Sequence, residues 1–233
     1  MDVFNPGSLQ HAVTVSACML FIAVLAWTAR RLWTAAPATE RRLRIGWTGF
    51  VVVFQIYNQL RWFLPENFTL RGSLPLHVCD LTVVLAPFAL LTNNRTLRAL
   101  VYFWGIGLSI NAFLFPILPE GPARIEFWLF WIGHTQVVAS AAYLVGIGFR
   151  PRFHDVLVAT AAIAVYNVLI TAVNVAFDLD YGYTGPDSAT LADLGPWPHR
   201  LLVLWLLEFG VFVLLWLPWK LCDPHRRLQP DTL

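Results

Sequence analysis

The 233-residue chain is 58% hydrophobic and only 13% charged, and it carries 11 Trp and 17 Phe. Soluble domains have about 25% charged residues, so this composition argues against an ordinary water-facing domain. The net charge of +2 comes with no acidic or basic tail and no Lys/Arg-rich face for nucleic acid. Long unbroken apolar runs, with no polar–apolar alternation, also argue against a transmembrane barrel. They predict one all-α integral membrane domain over 1–233.

A helix needs about 20 mainly apolar residues to cross the hydrocarbon core. In chain order, seven stretches qualify: 11–29, 45–63, 76–92, 99–118, 127–149, 156–177 and 200–219. The first follows Asp2 and precedes the basic residues, the reverse of a signal peptide. Arg30, Arg31, Arg41, Arg42 and Arg44 join it to the second. Arg95 and Arg98 join the third to the fourth, Arg150 and Arg152 join the fifth to the sixth, and Lys220, Arg226 and Arg227 follow the last. Arg61, Arg71, Arg124 and Arg200 remain for the opposite side, with Glu66, Glu120, Glu126, Asp178, Asp180, Asp187 and Asp193. Cytoplasmic loops concentrate Lys and Arg. The expectation is a polytopic seven-transmembrane-helix bundle, N-terminus out and C-terminus in. The long outer connection 178–199 is rich in Gly, Asp and Pro, and its Tyr181, Tyr183 and Trp197 belong either at the membrane interface or folded back over the bundle mouth. Gly105, Gly107, Gly146 and Gly148 lie within spans, where small residues permit close helix approach.

Polar groups in hydrocarbon are costly and usually face the bundle interior or a cavity. The second span carries Gln55, Asn58 and Gln59, the third His77, Cys79 and Asp80, and the fourth Asn111. His134, Thr135 and Gln136 fall in the fifth, Asn167 and Asn174 in the sixth, and Glu208 in the seventh. Counting from the outer ends at 1.5 Å per residue puts Asn58, Asn111, His134 and Glu208 roughly 7–12 Å deep. The inner stretches 84–91, 99–108, 137–149, 156–165 and 209–217 hold no acidic, basic or imidazole side chain. This distribution predicts a polar pocket in the outer half. It argues against a transporter or proton path, which would need polar lining on both sides of a central site. The competing account of the isolated Asn and Gln residues is plain hydrogen bonding between helices.

Leu74-Pro-Leu-His-Val-Cys-Asp80 is the densest constellation. Pro75 suits the start of a helix, which puts Cys79 in the first turns, where the helix dipole stabilises a thiolate. His77 and Asp80 are three apart and able to pair. Cys79 points about 100° away from Asp80, so its base would come from another helix, and His134 is the best candidate by depth. A Cys–His pair with a carboxylate orienting the imidazole suits acyl transfer. Other readings use the same residues. His77, Asp80, His134 and Glu208 could bind a divalent metal in a membrane lipid hydrolase, although no His-x-x-x-His motif is present. Cys79 could pair with Cys18. It could also be a small apolar filler in a non-catalytic lipid-binding or receptor-like protein. No soluble cofactor site and no Cys-x-x-Cys motif is visible.

The string Leu74–Asp80, Tyr102-Phe-Trp-Gly105, Leu114-Phe-Pro116, Gly133-His134, the Asn174-to-Tyr183 exit and Leu194-Gly-Pro-Trp-Pro198 with Glu208 beyond it run in order over roughly 45–218. Together they resemble the YwaF-like family of bacterial integral membrane proteins. That family is similar to a eukaryotic transmembrane acyltransferase that makes polyunsaturated ether phospholipids with an essential Cys and His. The resemblance implies that Cys79 carries an acyl group and that His134 is the base. Asp80 would orient an imidazole, with Glu208 the weaker candidate. Asn58, Asn111 or backbone N–H groups at the start of the third helix would hold the oxyanion. Gln55, His77, Asn167 and Asn174 complete the expected pocket. The implied partners are membrane phospholipids or lyso-phospholipids, with no cofactor or metal, in a bacterial plasma membrane. The chain departs from the family at Asp178-Leu-Asp-Tyr-Gly-Tyr183, which replaces a short Asn-Tyr run.

Overall fold

The computed structural model describes residues 3–222; Asp2, Arg226 and Arg227 lie outside them. The described chain is all-helical apart from one isolated antiparallel bridge between Val3 and Glu120. Its helices are α1 (Leu9–Ala35), α2 (Pro37–Trp62), α3 (Val78–Leu91), α4 (Arg95–Gly107), the single turn α5 (Asn111–Leu114), α6 (Ile125–Gly146), α7 (Phe153–Phe177) and α8 (His199–Leu221).

Among the described residues five helical segments are long and apolar enough to cross a membrane: Leu9–Ala35, Arg95–Leu114, Ile125–Gly146, Phe153–Phe177 and His199–Leu221. The other two expected spans are occupied by α2 and α3, which fall short for identifiable reasons. α2 carries Glu40, Arg41, Arg42, Arg44, Gln55, Asn58 and Gln59 within one helix. α3 has 14 residues, about 21 Å at 1.5 Å per residue, and an irregular, bent segment, residues 74–77, leads into it.

Several expected boundaries are corrected. α2 begins at Pro37, so Arg41, Arg42 and Arg44 lie on its first turns and not in a loop. Pro at the first helical position needs no N–H partner, and Glu40 in the first turn complements the helix dipole. α3 starts at Val78 with His77 as its N-cap, so Pro75 precedes the helix instead of opening it. The fourth span does not run unbroken to 118. The Trp104 carbonyl accepts from Leu108 N at 3.1 Å, Ser109 N at 3.0 Å and Ser109 Oγ at 3.3 Å. Ser109 N–H thus falls back one residue further than α-helical geometry requires, a local π-type step that ends the helix. The chain then makes α5 and continues as an extended strip through Glu120.

α6 is the hub of the bundle, packing against α1, α4, α3 and α2. Small residues let it do so. A Cβ added at Gly146 would lie 2.7 Å from the Ala26 carbonyl oxygen of α1, and one at Gly105 would lie 3.0 Å from Ala141 Cβ of α6. Overpacking of this kind typically costs about 1–3 kcal/mol. Gly146→Ala is therefore expected to lower the thermal midpoint in detergent. Gly46→Ala, whose Cβ meets nothing within 4 Å, should leave it level or raise it slightly.

The end of the bundle that collects the basic residues is tied by ion pairs. Glu40 is buried, 3.3 Å from Arg44 Nε, and accepts from the Tyr143 hydroxyl at 3.0 Å. Asp155, also buried, takes Arg95 Nε at 2.9 Å and Nη2 at 2.5 Å and caps α7 by accepting from Arg152 N at 2.6 Å. Arg95 Nη2 also donates to the Arg150 carbonyl at 3.0 Å. One side chain thus joins the starts of α4 and α7 to the loop between α6 and α7.

Candidate functional site

At the opposite end, α2, α3, α6 and the extended strip enclose a cavity of about 270 Å³. α2 contributes Gln55, Asn58 and Trp62, α3 contributes Cys79, Asp80 and Val83, and the strip contributes Ile117, Leu118 and Glu120. α6 supplies Glu126, Phe130, Gly133, His134 and Val137. On α6 these recur at three- and four-residue intervals, so they form one face of that helix. Its 22 residues, anchored by buried Phe127, Trp131, Val138, Tyr143 and Leu144, hold that face steady.

Cys79 sits in the first turn of α3. It lines the cavity beside Asp80 and shares that cavity with His134. His134 Nδ1 lies 2.8 Å from the Phe130 carbonyl oxygen. A carbonyl only accepts, so Nδ1 carries the proton in this pairing and Nε2 keeps its lone pair. Among the described residues Nε2 has no partner. The Phe130 ring, 4.4 Å centroid to centroid, backs the imidazole. The Asp80 carboxylate accepts from His77 N at 3.1 Å. It caps α3 and does not bond the His77 ring, the pairing that their spacing suggested. The group fixing the His134 ring is a backbone carbonyl, not a carboxylate. Asn58 Oδ1 is buried without a hydrogen-bond partner, so the cavity wall presents an unsatisfied amide.

The cavity therefore gathers Cys79, Asp80, His134, Asn58 and Gln55 from the expected set. Five others lie elsewhere. The His77 ring packs between Tyr181 and Tyr183, at 5.2 and 5.3 Å, and its Nδ1 accepts from Gly182 N at 3.3 Å. Asn111 is exposed at the start of α5. Asn167 Nδ2 donates to buried Glu208 Oε2 at 2.9 Å across α7 and α8. Asn174 is fully buried and committed to the loop after α7. Cys18, Cys79 and Cys222 are free thiols; the Cys18 thiol faces Thr135 across the α1–α6 contact, so no Cys18–Cys79 bridge forms. Among the described residues no three His, Cys, Asp or Glu side chains are grouped as metal ligands.

Some lining residues escaped sequence reasoning. Glu126 pairs with Arg61 at 2.7 Å at the cavity rim, with Arg124 at 3.5 Å, and Glu120 and Trp62 flank it. They fall at the ends of spans, where charge is ordinary and draws no attention. The 178–198 connection, for which two placements were open, folds back on the bundle. Tyr181, Thr184 and Ser188 are buried, Arg200 Nη2 donates to the Gly185 and Pro186 carbonyls, and Trp197 Nε1 donates to the Thr184 carbonyl. Burial pushes the Tyr183 hydroxyl up to about 12, so it remains a hydrogen-bond donor at any working pH.

These features define a helical, multi-pass integral membrane protein with a largely apolar cavity near one end of its bundle, into which several polar side chains are set. The chain belongs to the TMEM164 family, whose model matches residues 7–216. No curated protein and no solved structure matches it significantly.

Proposed function

We propose that this protein is a membrane-embedded acyltransferase or transacylase that moves acyl chains between phospholipids through Cys79 and His134. The observation that carries the reading is the shared cavity: a thiol at a helix start and an imidazole whose Nδ1 is committed to Phe130, leaving Nε2 as the acceptor. The resemblance to YwaF-like proteins, and through them to an ether-phospholipid acyltransferase, points the same way. In this reading all seven longer helices cross the membrane, the arginine-rich end faces the cytoplasm of a bacterial cell, and the cavity opens in the outer half.

The chemistry runs in two balanced halves. His134 Nε2 takes the Cys79 proton, and Sγ attacks the ester carbonyl of the donor lipid. The tetrahedral oxyanion is held by the Asn58 amide or by N–H groups at the start of α3. Collapse breaks the ester C–O bond and leaves an acyl thioester on Cys79. The departing lyso-lipid oxygen receives the proton from His134. A hydroxyl of a second lipid then gives its proton to His134 and attacks the thioester. Cys79 leaves as thiolate and regains the proton. Asp80 acts by holding the α3 start in place, and Glu208 is too committed to Asn167 to orient either imidazole.

The test uses purified protein in liposomes containing phospholipid with a radiolabelled acyl chain. A hydroxylamine-labile acyl label on the Cys79 peptide, reduced by His134→Ala, is the expected result. No label on Cys79, with acyl exchange still occurring, would replace this mechanism with another.

A further inference from the structure

The loop after α7 is tied to the segment before α3 by more hydrogen bonds than a surface connection needs. Asn174, fully buried near the end of α7, grips the backbone of Tyr181: its Oδ1 accepts from Tyr181 N at 3.0 Å and its Nδ2 donates to the Tyr181 carbonyl at 2.7 Å and to Thr184 Oγ1 at 3.0 Å. The Tyr181 hydroxyl, at the other end of a fully buried ring, donates to the Leu70 carbonyl at 2.7 Å and accepts from Leu74 N at 3.0 Å. Next to it, Gly182 N donates to His77 Nδ1. The Tyr166 hydroxyl donates to the Leu76 carbonyl at 2.8 Å. Only glycine fits at 182, because a Cβ there would lie 2.6 Å from that hydroxyl and φ is +64°. Residues 70, 74, 76 and 77, the run that delivers the chain into α3, are thus held from the α7 side. Cys79 follows two residues later. Side-chain hydrogen bonds to otherwise unpaired backbone groups are how an irregular segment is fixed.

We infer that Asn174 and Tyr181 form a positioning relay that sets the start of α3, and with it the Cys79 thiol, against His134. This rests on the Cys79–His134 reading and adds to it two residues that touch neither the cavity nor any lipid. It also accounts for Asn174, which is fully buried yet does not line the cavity. The exit Asp178–Tyr183 turns back so that the Tyr181 hydroxyl reaches Leu70 and Leu74, in the segment that precedes α3.

The relay predicts coupling at a distance, which a double-mutant cycle can read. In a Cys222→Ser background in lipid, N-ethylmaleimide labelling of Cys79 is expected to slow at least about tenfold with His134→Ala. With Tyr181→Phe already present, the same change should matter less than about twofold, because the pair is already misaligned. Cys18 labelling in the same molecules should stay within about twofold. Hydrogen exchange of peptides covering 69–80 should lose protection in Tyr181→Phe and Asn174→Ala. Full His134 dependence in Tyr181→Phe, unchanged protection over 69–80, or Cys18 and Cys79 changing together would overturn the relay. If parent Cys79 ignores His134, the Cys–His reading itself fails, and the exchange data alone then decide whether Asn174 and Tyr181 hold the α3 start.

Discussion

Cys79→Ala is expected to abolish acyl transfer, lowering turnover by about 10⁴-fold or more, as loss of a nucleophile does where the remaining site still binds substrate. Cys79→Ser should be nearly as inactive. A hydroxyl is a far weaker nucleophile than a thiol near neutral pH. Lipid binding should survive both changes, because the apolar lining of Val83, Ile117, Leu118, Leu129, Phe130 and Val137 is untouched. The measurement is acyl exchange between labelled phospholipid and lyso-phospholipid in liposomes, run beside a binding assay with a non-hydrolysable ether lipid. A hydrolase that used no thiol, or a receptor, would pass through both substitutions unchanged.

Asp155→Ala is expected to cost about 2–3 kcal/mol of stability. Truncating one partner of a fully buried pair typically costs about 3–5 kcal/mol, but Arg95 is 40% exposed and recovers part of its hydration. The carboxylate also caps α7 through Arg152 N, and a lost cap adds about 1 kcal/mol. Asp155→Asn keeps an acceptor for the cap and should lie in between. Thermal unfolding in detergent, monitored by tryptophan fluorescence, separates the three proteins. A shift for Asp155→Ala no larger than that for Gly46→Ala would mean that the Arg95 bridge between α4 and α7 contributes little.

Much of this architecture can be read from residue order. Apolar runs place a helix at each of seven stretches, and the positions of arginine divide the helix ends into two groups. What fails is informative. The two helices that fall short as membrane spans, α2 and α3, contribute Gln55, Asn58, Cys79 and Asp80 to the cavity, and those polar residues are part of why α2 reads poorly. Depth was legible because it needs only a residue count. Azimuth was not, because the direction a side chain takes around its helix matters only once neighbours are placed. Asn58, Asn111, His134 and Glu208 count to similar depths, yet only Asn58 and His134 meet in the cavity. Glu208 turns to Asn167. The break after α4 had no composition signal either: Gly107-Leu-Ser-Ile110 reads as ordinary apolar helix, and the step arises from three donors converging on the Trp104 carbonyl. His77 and Asp80 have the right spacing for a helical pair, but the helix begins one residue after His77, so the carboxylate finds the N-cap backbone first.

The strip that walls one side of the cavity is fastened by the beginning of the chain. Phe4 N donates to the Pro119 carbonyl at 3.0 Å, the His11 ring lies 2.9 Å from the Phe113 carbonyl, and the Phe4 ring packs against Phe127 and Trp131 of α6. Residues 3–11 therefore serve as a latch for Ile117, Leu118 and Glu120. An affinity tag placed there would pull directly on the wall of the cavity, so a fusion for purification or imaging belongs after α8.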